Sequence, residues 1–366
     1  MSLPLLVVVG ARPNFVKVAP VWHALAEIGV AQRLLHTGQH YDHALSGSFL
    51  EQLALPEPDV SLGVGPGTHA VQTGAALVGV ERVLMERPHS GVLVAGDVNS
   101  TLAAALAAAK LGVPVIHLEA GLRSGDWTMP EEINRVLCDR LSDLLLCPTP
   151  DAVETLCGEG IERARAVLVG NTMIDTLFLL ADRERAGAVR RRFGLHDGDY
   201  ILVTLHRPAL VDDVDRLLAT MEALACIAEH SPVLFPVHPR TRDRLAAVGL
   251  EGDESLRLLD PLEYTDFIAL EAGARLVVTD SGGVQEETSA LGVRCLTYRT
   301  TTERPITVEL GTNTVIGVDP ARLIEEARAE LHRSAAAARP EIPLWDGEAG
   351  DRAAKAVAEF LAARPS

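Results

Sequence analysis

Several absences narrow the function before any motif is read. No apolar run in the 366 residues approaches the roughly 20 needed to span a bilayer. The opening MSLPLLVVVG is apolar, but it has no basic flank and no small-residue cleavage site, and it leads straight into a motif. It therefore reads as a first strand rather than a signal peptide, and the expected location is the cytoplasm. The five cysteines, Cys138, Cys147, Cys157, Cys226 and Cys295, include no C-x-x-C pair; each reads as a small core residue rather than a metal ligand or half of a disulfide. Positive charge is also scarce. Lys and Arg number 33 against 50 Asp and Glu, a formal net charge of -17, which argues against nucleic acid or an anionic membrane as partner. An anionic ligand then needs a local pocket of Arg, Lys, His and backbone N–H groups.

What is present is a chain with 48% hydrophobic residues and mean hydropathy +0.17, enough to bury large cores. Its length favours two domains. Short apolar runs, often β-branched, recur at 5–9, 91–95, 113–118, 144–147, 167–169, 201–205, 233–237, 276–279 and 294–297. Ala- and Leu-rich segments of helical period separate them, such as STLAAALAAAKLG, whose Gly112 suits a helix C-cap. Strand and helix in alternation predict parallel sheets with helices on both faces, in two doubly wound domains. The stretch DRERAGAVRRRFGLHDGD, 182–199, is the most charged mid-chain piece, and a strand follows it directly. The domain exchange is expected shortly before it, near Thr172, and GEAGDRAAKAVAEFLAA reads as a final helix.

In open α/β sheets ligands bind outside the carboxyl ends of the strands, and polar residues collect there. LLVVVGARPNFVK ends in Gly10, Arg12 and Lys17, VLVAGDVNST in Gly96, Asp97 and Asn99, and VPVIHLEAGLR in His117, Glu119 and Arg123. In the second half YILVTLHR ends in His206 and Arg207, VLFPVHPR in His238 and Arg240, and LVVTDSGGVQEE in Asp280, Ser281, Gly282, Gly283, Glu286 and Glu287. Facing domains would gather these ends into one cleft. In DSGGVQEE, adjacent glycines between strand and helix let backbone N–H groups approach an anion, and the helix N-terminus adds partial positive charge. A diphosphate fits there, with Glu287 placed to accept from ribose hydroxyls. A lone S-G-G would be a plain capped turn; Q-E-E after it, together with His206 and Arg12, favours the nucleotide.

Other features read more plainly. His36, His40 and His43 do not match a zinc spacing and read as surface or sugar-contacting residues. Asp97 alone would more often cap a helix through DVNST, and Arg190 to Arg192 read as a solvated helix face. Trp127 is either a loop anchor or a cover over a ligand. The segment VIHLEAGLRSGDWTMPEEINR, 115–135, crowds Glu119, Asp126, Glu131 and Glu132 among Arg123 and Arg135 just past a buried strand.

GARPNFVK, TGQH, GDVNST, HLEAGLRSGDWTMPEEINR, VTLHRP, PVHPR, DSGGVQEETSALG and TTERPITVELGTN, in this order and spacing, resemble the non-hydrolysing UDP-N-acetylglucosamine 2-epimerases over about residues 5–317. The resemblance implies a fold like the B-type glycosyltransferases, two Rossmann-like domains around a cleft. The expected division is residues 1–172 with the acidic catalytic groups, 173–350 with UDP, and a C-terminal helix, 351–366, crossing back. It implies homodimers and interconversion of UDP-N-acetylglucosamine and UDP-N-acetylmannosamine without NAD or metal. UDP is eliminated across C1 and C2 to give 2-acetamidoglucal and then adds back. Carboxylates suit such work: one takes the C2 proton, others stabilise positive character at C1, and crowding raises at least one carboxyl pKa to supply an acid. The family's acidic constellation falls on Asp97, Glu119 and Glu131, with His206 also in the catalytic set. Phosphate contacts fall on Arg12, His206, Ser281, Gly282 and Gly283, ribose on Glu287 and the uracil side on Phe267, and Lys17 matches the basic residue after the first strand. Which carboxylate acts at C2 is left open.

Two departures stand out. HRPALVDD places Ala209 and Leu210 where many relatives have Glu and Asn. Some bacterial members bind an activating second UDP-N-acetylglucosamine through Gln, His, Gln and Arg around TGQH; here Gln39 and His40 remain, but Asp42 follows and no Arg stands near His69, so that site is expected to be altered or absent. Competing readings are a hydrolysing epimerase releasing UDP and N-acetylmannosamine, a retaining glycosyltransferase, and a non-catalytic nucleotide-sugar sensor. Arg12, Pro13 and Lys17 speak against the first, and the acidic set against the other two.

Overall fold

A computed structural model describes residues 3–38, 50–181, 183–237, 239–247, 249–250, 252–333 and 338–364. The chain forms two compact units, Met1–Thr176 with Pro343–Ser366, and Leu177–Ile342. The chain thus leaves the first unit after 176 and re-enters it at 343, where the sequence suggested 172 and 351.

The first unit holds a seven-stranded parallel sheet in the order β3-β2-β1-β4-β5-β6-β7. Its strands are β1 Leu5–Val9, β2 Gln32–His36, β3 Val60–Ser61, β4 Gly91–Ala95, β5 Val115–Leu118, β6 Leu144–Cys147 and β7 Ala166–Leu168. LLVVV, GVLVA and VIHL are buried at every residue, as strands covered on both faces must be. The helix Ala349–Ala362 packs on the helix Arg12–Glu27. The approach is close: a Cβ at Gly350 would lie 2.7 Å from Pro20 Cβ.

The second unit has a six-stranded parallel sheet, β10-β9-β8-β11-β12-β13, built from β8 Ile201–Thr204, β9 Val233–Pro236, β10 Leu256–Leu259, β11 Leu276–Thr279, β12 Cys295–Thr297 and β13 Asn313–Val315. Alternate residues feed different cores. Ile201 and Val203 join Leu224, Phe235 and Leu323, whereas Leu202 joins Tyr200, Leu234 and Leu270, as the two-residue period of a strand dictates. In each sheet the strand order reverses once, between β1 and β4 and between β8 and β11, and the loops at such a switch point are where ligands bind. Among the described residues, no helix is long and apolar enough to cross a membrane.

Candidate functional site

In the first unit the polar strand ends form an organised ionic group. After β1 the Asn14 side chain accepts from Gly10 N and Ala11 N, both at 3.0 Å, and donates to Ala95 O at 2.9 Å, tying the ends of β1 and β4 together. One turn further along that helix, buried Lys17 pairs with buried Glu119. Gly96 lies against this pair with φ +66; a Cβ there would stand 2.8 Å from Lys17 Nζ, so both backbone and space call for glycine. Glu119 itself adopts φ +69, the left-handed region that costs a non-glycine residue roughly 1–3 kcal/mol and clusters at functional sites.

The helix Pro130–Leu141 supplies the rest. Arg135, 3% exposed, donates to Asp97 Oδ2 from Nε at 3.0 Å and Nη2 at 2.6 Å, and to Glu132 Oε2 from Nη1 at 2.7 Å. Glu132 also accepts from Ser124 N and Gly125 N, each at 2.9 Å, and so pins the preceding loop. Asp126 closes a local turn onto Thr128. Glu131 is different. It is half-buried, and no hydrogen bond or ion pair holds it among the described residues. The crowded carboxylates of 115–135 thus separate into a loop pin, a turn, a lysine-paired group and one left open. Asp97 is not the cap residue of Asn99–Lys110, which is Val98; its carboxylate pairs with Arg135. Arg12, exposed, begins the helix after β1.

Beneath this group lies a buried dyad. His117 Nδ1 stands 2.7 Å from Asp139 Oδ1 and Nε2 stands 2.9 Å from Gly96 O. Asp139 Oδ2 meets Arg123 Nη1 at 2.7 Å. Burial alone would raise the Asp139 carboxyl, but His117 and Arg123 outweigh it and hold it below the usual range.

In the second unit Asp280, buried at the end of β11, organises the turn after β8. Its Oδ2 accepts from His206 N at 2.9 Å and Arg207 N at 2.8 Å, and its Oδ1 lies 3.0 Å from His206 Nδ1. Burial pushes this carboxyl up, and the His206 ring with both backbone N–H groups pulls it below its ordinary value. The helix Gly282–Leu291 starts directly after Ser281. Gly282 is hemmed in by a buried ion network: a Cβ there would lie 2.6 Å from Arg304 Nη1 and against Glu303, while Arg304 Nε meets Glu286 Oε2 at 2.9 Å and Arg299 Nη2 meets Glu303 Oε2 at 2.8 Å. Glu287, 3% exposed, accepts from the Tyr264 hydroxyl, and burial pushes its carboxyl up to about 7. Glu271 is fully buried with neither oxygen hydrogen-bonded among the described residues, and burial with the Glu287 charge raises it well above the ordinary range. Phe267, half-buried, packs with Leu270 and Leu202.

Sequence reasoning gave no role to Arg135, Asp280, Tyr264 or Arg304. The place of Arg135 three residues after Glu132 was a readable sign of helical pairing; Asp280 and Tyr264 are joined to their partners only by the fold. Of the run Arg190 to Arg192, Arg191 and Arg192 are exposed, while Arg190 is half-buried with Asp197 Oδ1 2.8 Å from its Nε. Trp127 is 62% exposed. Gln39, His40, Asp42, His43 and His238 lie outside the described residues, and His69 Nδ1 contacts the Asn99 side chain at 3.1 Å. Among the described residues no group of three or more His, Cys, Asp or Glu is placed to hold a metal ion.

A B-type glycosyltransferase-like pair of parallel sheets, with carboxylates at one switch point and a glycine-led helix at the other, defines a nucleotide-sugar enzyme. The sequence model for UDP-N-acetylglucosamine 2-epimerases matches residues 23–358, and the chain belongs to that family. It is similar to the UDP-N-acetylglucosamine 2-epimerase of Methanocaldococcus jannaschii, 40% identical over 96% of this chain and 97% of that protein. It is similar as well to the UDP-2,3-diacetamido-2,3-dideoxy-D-glucuronate 2-epimerase of Pseudomonas aeruginosa, 42% identical over 98% of this chain and 99% of that one. The crystal structure of the M. jannaschii enzyme in complex with UDP-GlcNAc and UDP superposes with TM-score 0.89 at 39% identity, covering 98% of this chain and all of that chain, 100%. The protein is a UDP-sugar 2-epimerase, an isomerase.

Proposed function

We propose that the protein interconverts UDP-N-acetylglucosamine and UDP-N-acetylmannosamine. The observation that carries this reading is the ionic group of the first unit. Asp97 and Glu119 stand beside the cations Arg135 and Lys17, and Glu131 is left without a partner among the described residues. Elimination needs a base for the C2 proton. The C–H electron pair becomes the C1=C2 bond of 2-acetamidoglucal, and the C1–O pair leaves with UDP. Glu131 suits the proton exchange, and Asp97 and Glu119 suit the positive character at C1. In the second unit His206, Ser281, Gly282 and Gly283 suit the diphosphate, Glu287 the ribose and Phe267 the uracil; in the first, Arg12 suits an anionic group and Lys17 keeps Glu119 in place. Proton return on the other face and re-addition of UDP complete the epimerisation without net redox change.

Incubation with UDP-N-acetylglucosamine in heavy water, followed by proton NMR, tests this. Conversion to a mixture with the manno epimer, deuterated at C2 and with no lasting UDP release, is expected; free N-acetylmannosamine with UDP would make the protein a hydrolase. A second reading, a diacetamido-glucuronate substrate, draws support from the 42% identity to the Pseudomonas enzyme. Equimolar competition between the two nucleotide sugars decides, by which one incorporates deuterium faster.

A homodimer completes the proposal. Val71, Val78 and Met85, at heptad spacing on the helix His69–Glu86, are 59%, 60% and 72% exposed, an apolar stripe of the kind that marks interaction surfaces. Light scattering should give a dimer for the wild type and a monomer for Val78→Asp.

A further inference from the structure

We propose that His117 is a positioning residue for the epimerisation: locked as a doubly protonated imidazolium, it fixes the peptide turns that carry Asp97 and Glu119. The inference rests on the UDP-sugar 2-epimerase activity and on the reading of those two carboxylates above.

The geometry allows one protonation state. His117 is fully buried in β5, so water satisfies neither ring nitrogen. Nε2 faces the Gly96 carbonyl at 2.9 Å, and a carbonyl only accepts. Nδ1 faces Asp139 Oδ1 at 2.7 Å, and Asp139 is itself surrounded by donors, with Arg123 Nη1 at 2.7 Å and Gly121 N at 3.2 Å on Oδ2. Two acceptors on opposite sides of the ring require two N–H groups. The titratable groups facing the ring are Asp139 and Cys138, both from the helix Pro130–Leu141. Burial opposes the charge, and these neighbours outweigh it. Arg123, in turn, is held by Glu159 at 2.8 Å, so the buried charges balance in pairs.

What the ring holds is the junction of β4 and β5. Gly96 N donates to Leu118 O at 3.0 Å, and Gly96 O accepts from His117, so the peptide groups flanking Gly96 are both fixed. The next residue is Asp97, whose own carbonyl accepts from Asn134 at 2.8 Å. On β5, Glu119 follows two residues after His117 in a strained conformation, φ +69, which persists only where its surroundings over-determine it. A neutral imidazole would turn a lone pair toward Gly96 O or toward Asp139, and the turn bearing Asp97 would lose its brace. Gln offers no pair of opposed donors, and Asp139→Asn removes the counter-ion that keeps the second proton.

The test has two parts. In the wild type labelled with 15N-histidine, His117 should show both ring nitrogens protonated from pH 6 to pH 9, with or without nucleotide sugar. His117→Gln and Asp139→Asn should each lower kcat by about 100-fold, the size of effect that a misplacement of about 1 Å produces, with KM and the affinity for UDP within about threefold of wild type. An unprotonated ring nitrogen at pH 7, or kcat within about threefold of wild type in a folded His117→Gln, overturns the proposal. Should His117→Gln not fold, Asp139→Asn and the wild-type spectrum decide. If the wild type turns over neither proposed sugar, the substrate reading fails, while the histidine spectrum still reports on the ring.

Discussion

The ionic group of the first unit and one pair of acids in the second hold carboxylates in opposite ways, although the second unit also pairs Asp280, Glu286 and Glu303 with cations. In the first, acids come with counter-ions: Glu119 with Lys17, Asp97 and Glu132 with Arg135, Asp139 with His117 and Arg123. In the second, Glu271 and Glu287 are buried with no cation beside them among the described residues, and burial drives both carboxyls upward. Paired charge suits chemistry at a sugar ring, where positive character develops and must be met by fixed negative groups. A carboxyl kept near neutrality suits binding, where a hydrogen-bonding group is wanted without a full buried charge. Under the proposed function this difference would divide catalysis and binding between the two groups, and it can be tested by breaking each arrangement in turn.

The largest effect is expected at Glu131, the acid of 115–135 left without a partner among the described residues. Glu131→Gln keeps the shape and removes the exchangeable carboxylate, so kcat should fall by about 10²–10⁴-fold while UDP affinity holds. A variant retaining near wild-type kcat would shift the proton step to Asp97 or Glu119. Next comes Arg135→Met, which strands Asp97 and Glu132 together. Leaving buried carboxylates unpaired should cost about 3–5 kcal/mol, read as a lowered midpoint in urea; a loss below about 1 kcal/mol would mean that these carboxylates reach water and that the pairing is ornamental.

In the second unit the sign reverses. Glu271→Met deletes a buried acid lacking hydrogen bonds among the described residues and should stabilise by about 1–3 kcal/mol, most at high pH. The pH argument follows from linkage. A carboxyl raised in the folded state favours the fold while protonated in both states, and that contribution is lost as pH climbs from the unfolded value through the folded one. For Glu287 the window runs from its ordinary 4.5 to about 7, and for the half-buried Asp175 of the first unit, which accepts from Gly350 N at the start of the C-terminal helix, from 3.8 to about 6. Wild-type thermal stability should therefore decline between pH 5 and pH 8, and Glu287→Gln should flatten that decline. An equal decline in the variant would remove Glu287 from the account.

The same contrast explains what could be read in advance. Strands buried on both faces stand out as apolar runs, and LLVVV, GVLVA, LLLC and LVVT coincide with β1, β4, β6 and β11 to the residue. Four strands at or next to a sheet edge did not stand out: QRLLH and LRLL carry charged residues, and VS and NTV are too short to show a pattern. In the candidate site, the residue types at strand ends were visible, because glycine, acid and base in such places have few other uses. Their pairing was not. Whether a carboxylate meets Arg135 or stands open depends on the rotation of one helix, and nothing local to Asp280 announces that it will orient a histidine more than seventy residues away. Crowding in 115–135 suggested that the raised carboxyl would lie there. Burial raises Glu271 and Glu287, and it raises Asp175 even against the pull of Arg352; depth of burial is set by the fold and not by local crowding.

The smallest effect isolates the last contact of the comparison. The Tyr264 hydroxyl donates to Glu287 and is the influence that pulls the Glu287 carboxyl down against burial. Tyr264→Phe removes that donor while leaving ring and packing in place, so the carboxyl should rise above about 7. If Glu287 accepts from the ribose, the protonated form offers one oxygen fewer, and UDP affinity should depend on pH with a midpoint that the variant moves upward. Calorimetric titration of UDP from pH 6 to pH 9 reads that midpoint directly. A pH-independent affinity in both proteins would leave Glu287 as a structural acid, and the charge economy of the second unit would then serve the fold alone.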